Sequence, residues 1–350
     1  MKGKYVVFLT LQINFLLTHC CQSSREEPEY KTLVEAAKNG DINAVRTLLD
    51  RGSDVNSRDE KGNTALLWAA RKGHTDTVQT LLRRGADTNI KNIRERQNPL
   101  NVLANSQHLE IARLLLSYGV DVNNRERSGW TALLYAASQG NLNMTSLLLD
   151  HAADMDASME QTGFTALMLA MLDGHNEVAK LLLNHGANAN ERDIYGKPLI
   201  LYMAEYGRSA AVLMLLEHGG EIESADDNGD SALKVAAGNG HPETVLVLIE
   251  HGANVTSVNR FKQSALFQAA RSGHKDVIVA LLEQGASANV NQVDVNGKTS
   301  LITASKGGHT QVVSLLLHNG ANPNLKGNNS DTALGNNKLE KILSSICILT

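Results

Sequence analysis

Aromatic residues are scarce in this chain: two tryptophans, seven tyrosines and five phenylalanines, 4% of 350 residues. That is too little ring volume to fill most large globular cores, so leucine and alanine must carry the packing, which points to stacked helices. The three cysteines, Cys20, Cys21 and Cys347, form no CxxC, so neither a zinc site nor a redox motif is spelled out. Net charge is only −4 and no basic cluster occurs, which argues against nucleic acid as a partner. P-loop, GxSxG, HExxH and GxGxxG patterns are all missing. Carboxylates such as Asp226 and Asp227 fall in solvated turns. The chain therefore reads as a non-enzyme, with no cofactor, metal or small-molecule substrate implied.

Long apolar runs are also rare. The one near the start, Tyr5 to Leu17, is interrupted by Gln12 and Asn14 and is short for a membrane span. Preceded by Lys2 and Lys4, it suits the core of an export signal over residues 1–19. The segment "LLTHCCQSS" resembles a bacterial lipoprotein processing site, with Leu17 in the aliphatic position and Cys20 as the residue to be acylated. His19 departs from the small residue usual before that cysteine. A soluble secreted form and an uncleaved anchor stay open as alternatives. Residues 20–29 read as a polar tether.

What is present in abundance is repetition. Aligned on "TALLWAARKGH", the equivalents of Thr64 are Lys31, Asn98, Thr131, Thr165, Pro198, Ser231, Ser264, Thr299 and Thr332, spaced 33 to 35 residues apart. The Thr or Ser suits the cap of a first helix. Ala36, Ala69, Ala136, Ala170, Ala236, Ala269 and Ala304 share a slot where small side chains let helices approach. Glycine ends the first helix at Gly40, Gly73, Gly140, Gly174, Gly207, Gly240, Gly273 and Gly308, and recurs after a second, apolar-striped helix. A turn such as "DVNSRDEKGN" then projects as a hairpin-like finger. With this period and a T-P-L-H-x-A-like pattern, the chain resembles the ankyrin-repeat family from about residue 30 onward.

The resemblance implies an all-α ankyrin-repeat solenoid: nine repeats over residues 30–331 and a truncated C-terminal capping repeat over 332–350. Repeats of this kind bury their apolar faces only against neighbours, so Lys31, Glu35 and Lys38 suit a solvated first helix. The pattern breaks in repeat 3 (Leu103 for Ala, Gln107 for Gly, no Gly in the turn) and in repeat 6 (Pro198, Met203). It breaks again in the turn "VNRFKQ" and in a two-residue insertion before Thr299.

Eleven of the 12 histidines fall in two phases, one after the first-helix glycine and one after the second helix. Same-phase residues stand about 8–10 Å apart in stacked helices, too coarse for the common point that zinc requires. They read as residues that tie loops down by hydrogen bonds. A stack of ten units runs on the order of 90 Å, whereas the stretch from Cys21 to Tyr30 reaches at most about 35 Å. An intact solenoid therefore keeps Cys21 from Cys347.

The few aromatics are concentrated. The variable x position of the motif carries Trp68, Tyr135 and Tyr202, and the fingers carry Trp130, Phe164, Tyr195 and Phe261, with Phe267 in the slot beside x. In the family the x position lies on the inner, concave side. These residues, with Leu169 at x in repeat 5, are the candidate partner-binding set, because Tyr and Trp are enriched in binding hot spots. Partial burial of x-slot rings against the next repeat is the competing reading. The expected function is a scaffold that binds another protein through its concave face and fingers, held to a membrane by a lipid on Cys20. A secreted effector acting on host proteins, or an accessory partner of an envelope enzyme, are the alternatives. In a eukaryotic source, "NMT" at Asn143 and "NVT" at Asn254 become glycosylation candidates.

Overall fold

The structure, a computed structural model, describes residues 30–104, 106–328 and 333. The leader with Cys20, the tether apart from its junction at Tyr30, and the closing segment apart from Ala333 lie outside the described residues, as do Cys21 and Cys347. Among the described residues there are 18 α-helices and no strand. The chain divides into two compact units between Arg94 and Glu95, in the turn that leads into the irregular third repeat.

The first unit holds α1 (Leu33–Asn39), α2 (Ile42–Asp50), α3 (Ala65–Lys72) and α4 (Thr75–Arg83). First helix packs on first helix and second on second, with Ala36 and Ala69 fully buried at the close approach. Thr64 Oγ1 accepts the Leu67 backbone N–H at 3.2 Å, the capping role expected of it. In repeat 1 the cap moves one residue, to Thr32, whose hydroxyl accepts from Glu35; Lys31 in the aligned position has no acceptor to offer. Lys31, Glu35 and Lys38 are exposed.

The second unit continues the pairs with α5 (Pro99–Leu103), α6 (Leu109–Ser117), α7 (Ala132–Ser138), α8 (Leu142–Asp150), α9 (Ala166–Asp173) and α10 (Asn176–Asn184). Then come α11 (Leu199–Glu205), α12 (Ser209–Glu217), α13 (Ala232–Asn239), α14 (Pro242–Glu250), α15 (Ala265–Ser272), α16 (Lys275–Glu283), α17 (Ser300–Gly307) and α18 (Thr310–His318). Irregular repeat 3 has the shortest helix, five residues. The insertion before Thr299 is taken up by a 3-10 turn, Ala286–Asn289. Six fingers close with a single antiparallel bridge, as Arg58 with Thr64 and Ala225 with Ser231.

Backbone geometry explains the glycines and marks where they are missing. Gly240 has φ +81°, and a Cβ there would sit 2.6 Å from the His274 ring of the next repeat. The slot thus needs both a left-handed backbone and bare space. Three non-glycine residues take positive φ: Arg96 (57°), Ala152 (60°) and Lys262 (60°). Each stands where the other repeats carry glycine, in the finger for Arg96 and Lys262 and after the second helix for Ala152. The fold imposes the same turn on these sequences, at a cost of roughly 1–2 kcal/mol each.

The histidines hold neighbouring repeats together. His175 Nε2 donates to the Ser138 carbonyl at 3.0 Å, His241 to Glu205 at 2.8 Å, His274 to Gly238 at 3.1 Å and His309 to Arg271 at 3.1 Å. Where histidine is absent the bond persists: Asn141 Nδ2 donates to Ser106 at 3.1 Å, and Arg208 donates to the Met171 carbonyl. The later phase bonds within its own repeat, as His251 Nδ1 on the Val247 carbonyl at 2.8 Å, and His218 also reaches Asn184 of the repeat before it at 3.2 Å.

Candidate partner-binding face

The x-slot aromatics meet the finger that precedes their helix, Trp68 and Tyr202 by a hydrogen bond and Tyr135 by a ring contact. Trp68 Nε1 donates to Asp59 Oδ2 at 2.9 Å, and Tyr202 Oη donates to Asp193 Oδ2 at 2.7 Å. At Tyr135 the carboxylate in the same position is Glu126, whose charge bears on the phenol. In all three a carboxylate lies nine residues before the ring, and the hydrogen bond itself is made in repeats 2 and 6. Asp59 also accepts the backbone N–H groups of Lys61 at 2.9 Å and Asn63 at 2.8 Å, which orders the tip.

The clamp leaves the rings half exposed and sets their electrostatics. Burial pushes the Tyr135 phenol well above its ordinary value, helped by the nearby Glu126 carboxylate; burial and the bond to Asp193 do the same at Tyr202. Burial works against ionisation of Asp59, but hydrogen bonds from Asn63, Trp68 and Lys61 outweigh it and hold the carboxyl below its usual value. Cations lie over the rings. Lys38 Nζ and Arg71 Cζ stand 4.8 Å and 5.1 Å from the Trp68 centroid, and Lys197 Nζ stands 4.0 Å from that of Tyr202.

The candidate residues separate into three groups. Trp130 stacks on Tyr135, with centroids 4.6 Å apart, and Phe164 meets Tyr202 edge-on at 5.9 Å. These pairs join a finger ring to an x-slot ring. Tyr195 and Phe261 stand free at finger tips, 79% and 46% exposed. Leu169 is a correction: its x-slot side chain is 9% exposed and belongs to the core of repeat 5, which removes it from the surface set. Phe267 is likewise buried. Trp68 lies in the first unit and the others in the second.

Two features were missed in the sequence. Glu191, 8% exposed, takes a hydrogen bond from the Thr165 hydroxyl. Burial pushes its carboxyl up to about 7, opposed by the Thr165 bond and reinforced by the charge of Asp156. Lys234, 3% exposed, occupies the H slot of repeat 7 and donates to Ser231 Oγ and Ser257 Oγ. The Ser231 hydroxyl, spent on Lys234, accepts no backbone N–H at the start of α13. A cation in a slot that is mostly apolar in the other repeats was the signal available for Lys234; the Glu191 slot varies from repeat to repeat and gave none.

The model of the family described as "Ankyrin repeats (3 copies)" matches residues 13–92, 33–126, 100–193, 188–259 and 256–327. With repeat, finger and cap geometry in agreement, the chain belongs to the ankyrin-repeat family. Curated relatives match over single stretches. Ankyrin repeat domain-containing protein 13B of Mus musculus is 43% identical over 53 residues, 15% of this chain and 8% of its own. Protein phosphatase 1 regulatory subunit 27 of Homo sapiens is 40% identical over 53 residues, 15% of this chain and 34% of its own. Potassium channel AKT1 of Oryza sativa subsp. japonica is 47% identical over 47 residues, 13% and 5%. This chain thus spans about a third or less of the length of these relatives. The family supports a protein–protein interaction scaffold.

Proposed function

We propose that this chain is a non-catalytic scaffold that binds a partner protein with its fingers and the exposed side of its first helices. The observation that carries the reading is the recurring clamp. Trp68 and Tyr202 are held by carboxylates nine residues upstream and Tyr135 is stacked on Trp130, so an aromatic face is fixed in place before a partner arrives. Pre-ordering lowers the entropy lost on association, and Tyr and Trp supply large contact area. That one relative is named a phosphatase regulatory subunit agrees with a regulatory or accessory role, as does the lack of catalytic motifs. Lipid attachment at Cys20 and residence in a cell envelope complete the proposal, on the leader sequence alone; secretion without a lipid is the second reading.

Two experiments test it. Capture from the native source is compared between wild type and a Tyr195→Ala, Phe261→Ala variant, which leaves every clamp intact, and a Trp130→Ala variant. A partner held by wild type and lost by either variant places binding on this face. Equal capture by all three moves it elsewhere. Metabolic labelling with a fatty acid, controlled by Cys20→Ser, decides the anchor: no label at Cys20 ends the lipoprotein reading.

A further inference from the structure

Ten large apolar side chains are exposed among the described residues, and four of them share two adjacent fingers of the second unit. Val258 and Phe261 lie on one and Val293 and Val295 on the next, each 37–47% exposed. The Val295 N–H donates to the Phe261 carbonyl at 3.0 Å, which sets the two tips side by side. Val258 and Val293 each stand six residues before a helix cap and form the bridge of their finger, as Arg192 and Ala225 do before them. The Arg192 guanidinium reaches the Ala225 carbonyl at 3.2 Å, so a side chain in this column lies over the next finger. The column carries Arg58, Arg125 and Arg192 earlier in the chain and turns apolar here over two fingers in succession.

Scattered apolar exposure is ordinary; the charge around this strip is not. Five residues before the cap, other fingers carry a carboxylate, such as Asp193 and Asp294, that accepts two backbone N–H groups of the tip. Asn259 does the same work with its amide oxygen, taking the N–H groups of Phe261 at 3.0 Å and Gln263 at 2.9 Å. The turn is kept and the negative charge is gone. Lys262 then replaces the glycine of other fingers and holds φ at 60°, a conformation disfavoured by its side chain. Residues 258–263 thus carry Arg260 and Lys262 and no carboxylate. Both cations are exposed, and among the described residues neither side chain makes an ion pair or a hydrogen bond. On the next finger Asp294 is buried and spent on its own turn. An apolar strip with unanswered cations at its edge matches a ligand that is apolar and anionic together.

We infer that these two fingers dock an acidic segment of the partner protein, its apolar side chains on the valine and Phe261 strip and its carboxylates at Arg260 and Lys262. Neighbouring fingers stand on the order of 10 Å apart, which an extended chain covers in about three residues. A segment of about six residues therefore spans both. The finger on the other side favours a peptide over an anionic lipid surface. It carries Asp226 and Asp227, with Asp227 exposed. A broad anionic plane would meet that finger too and be repelled by it, whereas a single strand stays clear. The inference rests on the reading of the chain as a protein-binding scaffold and gives that partner a chemistry.

The test uses the full chain and the peptide acetyl-Asp-Phe-Glu-Asp-Leu-Glu-amide. Controls replace its acids by Asn and Gln, or its Phe and Leu by Ala. The readout is the methyl resonances of Val258, Val293 and Val295 by NMR. The acidic peptide should shift them saturably with a Kd on the order of 0.5 mM, and each control should bind about fivefold or more weakly. Raising salt from about 0.05 M to about 0.5 M should weaken the acidic peptide by about threefold. Lys262→Gly removes a cation and relieves the turn. It should raise the unfolding temperature and yet weaken the peptide by about threefold, which loss of folding could not produce. Arg260→Gln should weaken it by about as much. No shift at about 10 mM acidic peptide, equal binding of the Asn and Gln control, or an unchanged Kd in both variants overturns the inference. A shift with vesicles of phosphatidylserine and phosphatidylcholine, and none with the peptide, overturns it in favour of a membrane contact. A silent peptide with capture still lost in the Tyr195→Ala, Phe261→Ala variant removes this inference and leaves the proposed function. Binding of the acidic peptide with equal capture by all variants does the reverse.

Discussion

Residues 30–94 and residues 95–328 are built from the same repeat but treat polar groups differently. Among the described residues of the first unit, buried polar side chains are all neutral, no non-glycine residue has positive φ, and no buried polar atom lacks a partner. The longer second unit buries Glu126, Glu191, Asp193, Lys234 and Asp294. It also holds the three strained residues Arg96, Ala152 and Lys262, and the unpartnered atoms of Asn124, Thr244, Gln268 and Ser300. Charge divides the same way. Residues 30–94 carry 12 Lys and Arg against 8 Asp and Glu, a net +4, whereas residues 95–350 carry 18 against 26, a net −8. Local rules broken without compensation mark places where a sequence serves something besides its fold.

The largest effect expected from this contrast is at Glu191. Its folded value of about 7 lies above its ordinary 4.5, so the folded chain binds this proton more tightly than the unfolded one. Its contribution to stability is full below about pH 4.5 and is lost as pH rises through 7. Glu191→Gln should therefore stabilise the second unit by up to about 3 kcal/mol at pH 8 and by almost nothing at pH 4. Asp59 in the first unit has the opposite sign: its lowered value adds stability above the ordinary carboxylate range, lost as pH falls through the folded value. Hydrogen exchange read separately for the two units checks both, between about pH 5 and 8 for Glu191 and between about pH 2 and 5 for Asp59; parallel pH responses would break the comparison.

Next in size comes the regular turn of the first unit. A Cβ at Gly62, φ +77°, would stand 2.5 Å from Ile93 Cγ1 and 2.9 Å from the Ile93 nitrogen. Gly62→Ala should cost about 2 kcal/mol or more in urea unfolding. The reverse change in the second unit should help: Arg96→Gly, Ala152→Gly and Lys262→Gly each stabilise by about 1 kcal/mol, and additively because the sites are well separated. The smallest effect is at the clamps. Trp68→Phe and Tyr202→Phe each remove one hydrogen bond and should cost about 1 kcal/mol, seen as faster amide exchange at Asn63 and Lys197. Equal loss in both units would show that the clamp is indifferent to the charge around it.

The repeat was legible because its slots are local. Helix caps at Thr64 and Thr131, the buried alanines and the left-handed glycines each answer to a residue's own backbone, and the same residue type returns near every 33 positions. The histidine bonds between repeats were legible in kind for the same reason. Convergence was not legible. The carboxylate-to-ring clamp requires the finger to fold back on its own helix, and the Thr165 hydroxyl meets a carboxylate 26 residues away at Glu191. Leu169 shows the limit of slot reasoning. Its position matches that of Trp68, yet a short aliphatic chain lies down into the core where the indole reaches back to a finger carboxylate.

The bonds from His175, Arg208, His241, His274 and His309 to the repeat before them also bear on mechanics. Each rung crosses one boundary and none crosses two. A pull along the chain would load these rungs in series and break them one at a time. Every rupture would release one repeat of about 33 residues, some 110 Å of slack at full extension, so the molecule would lengthen under tension in even steps.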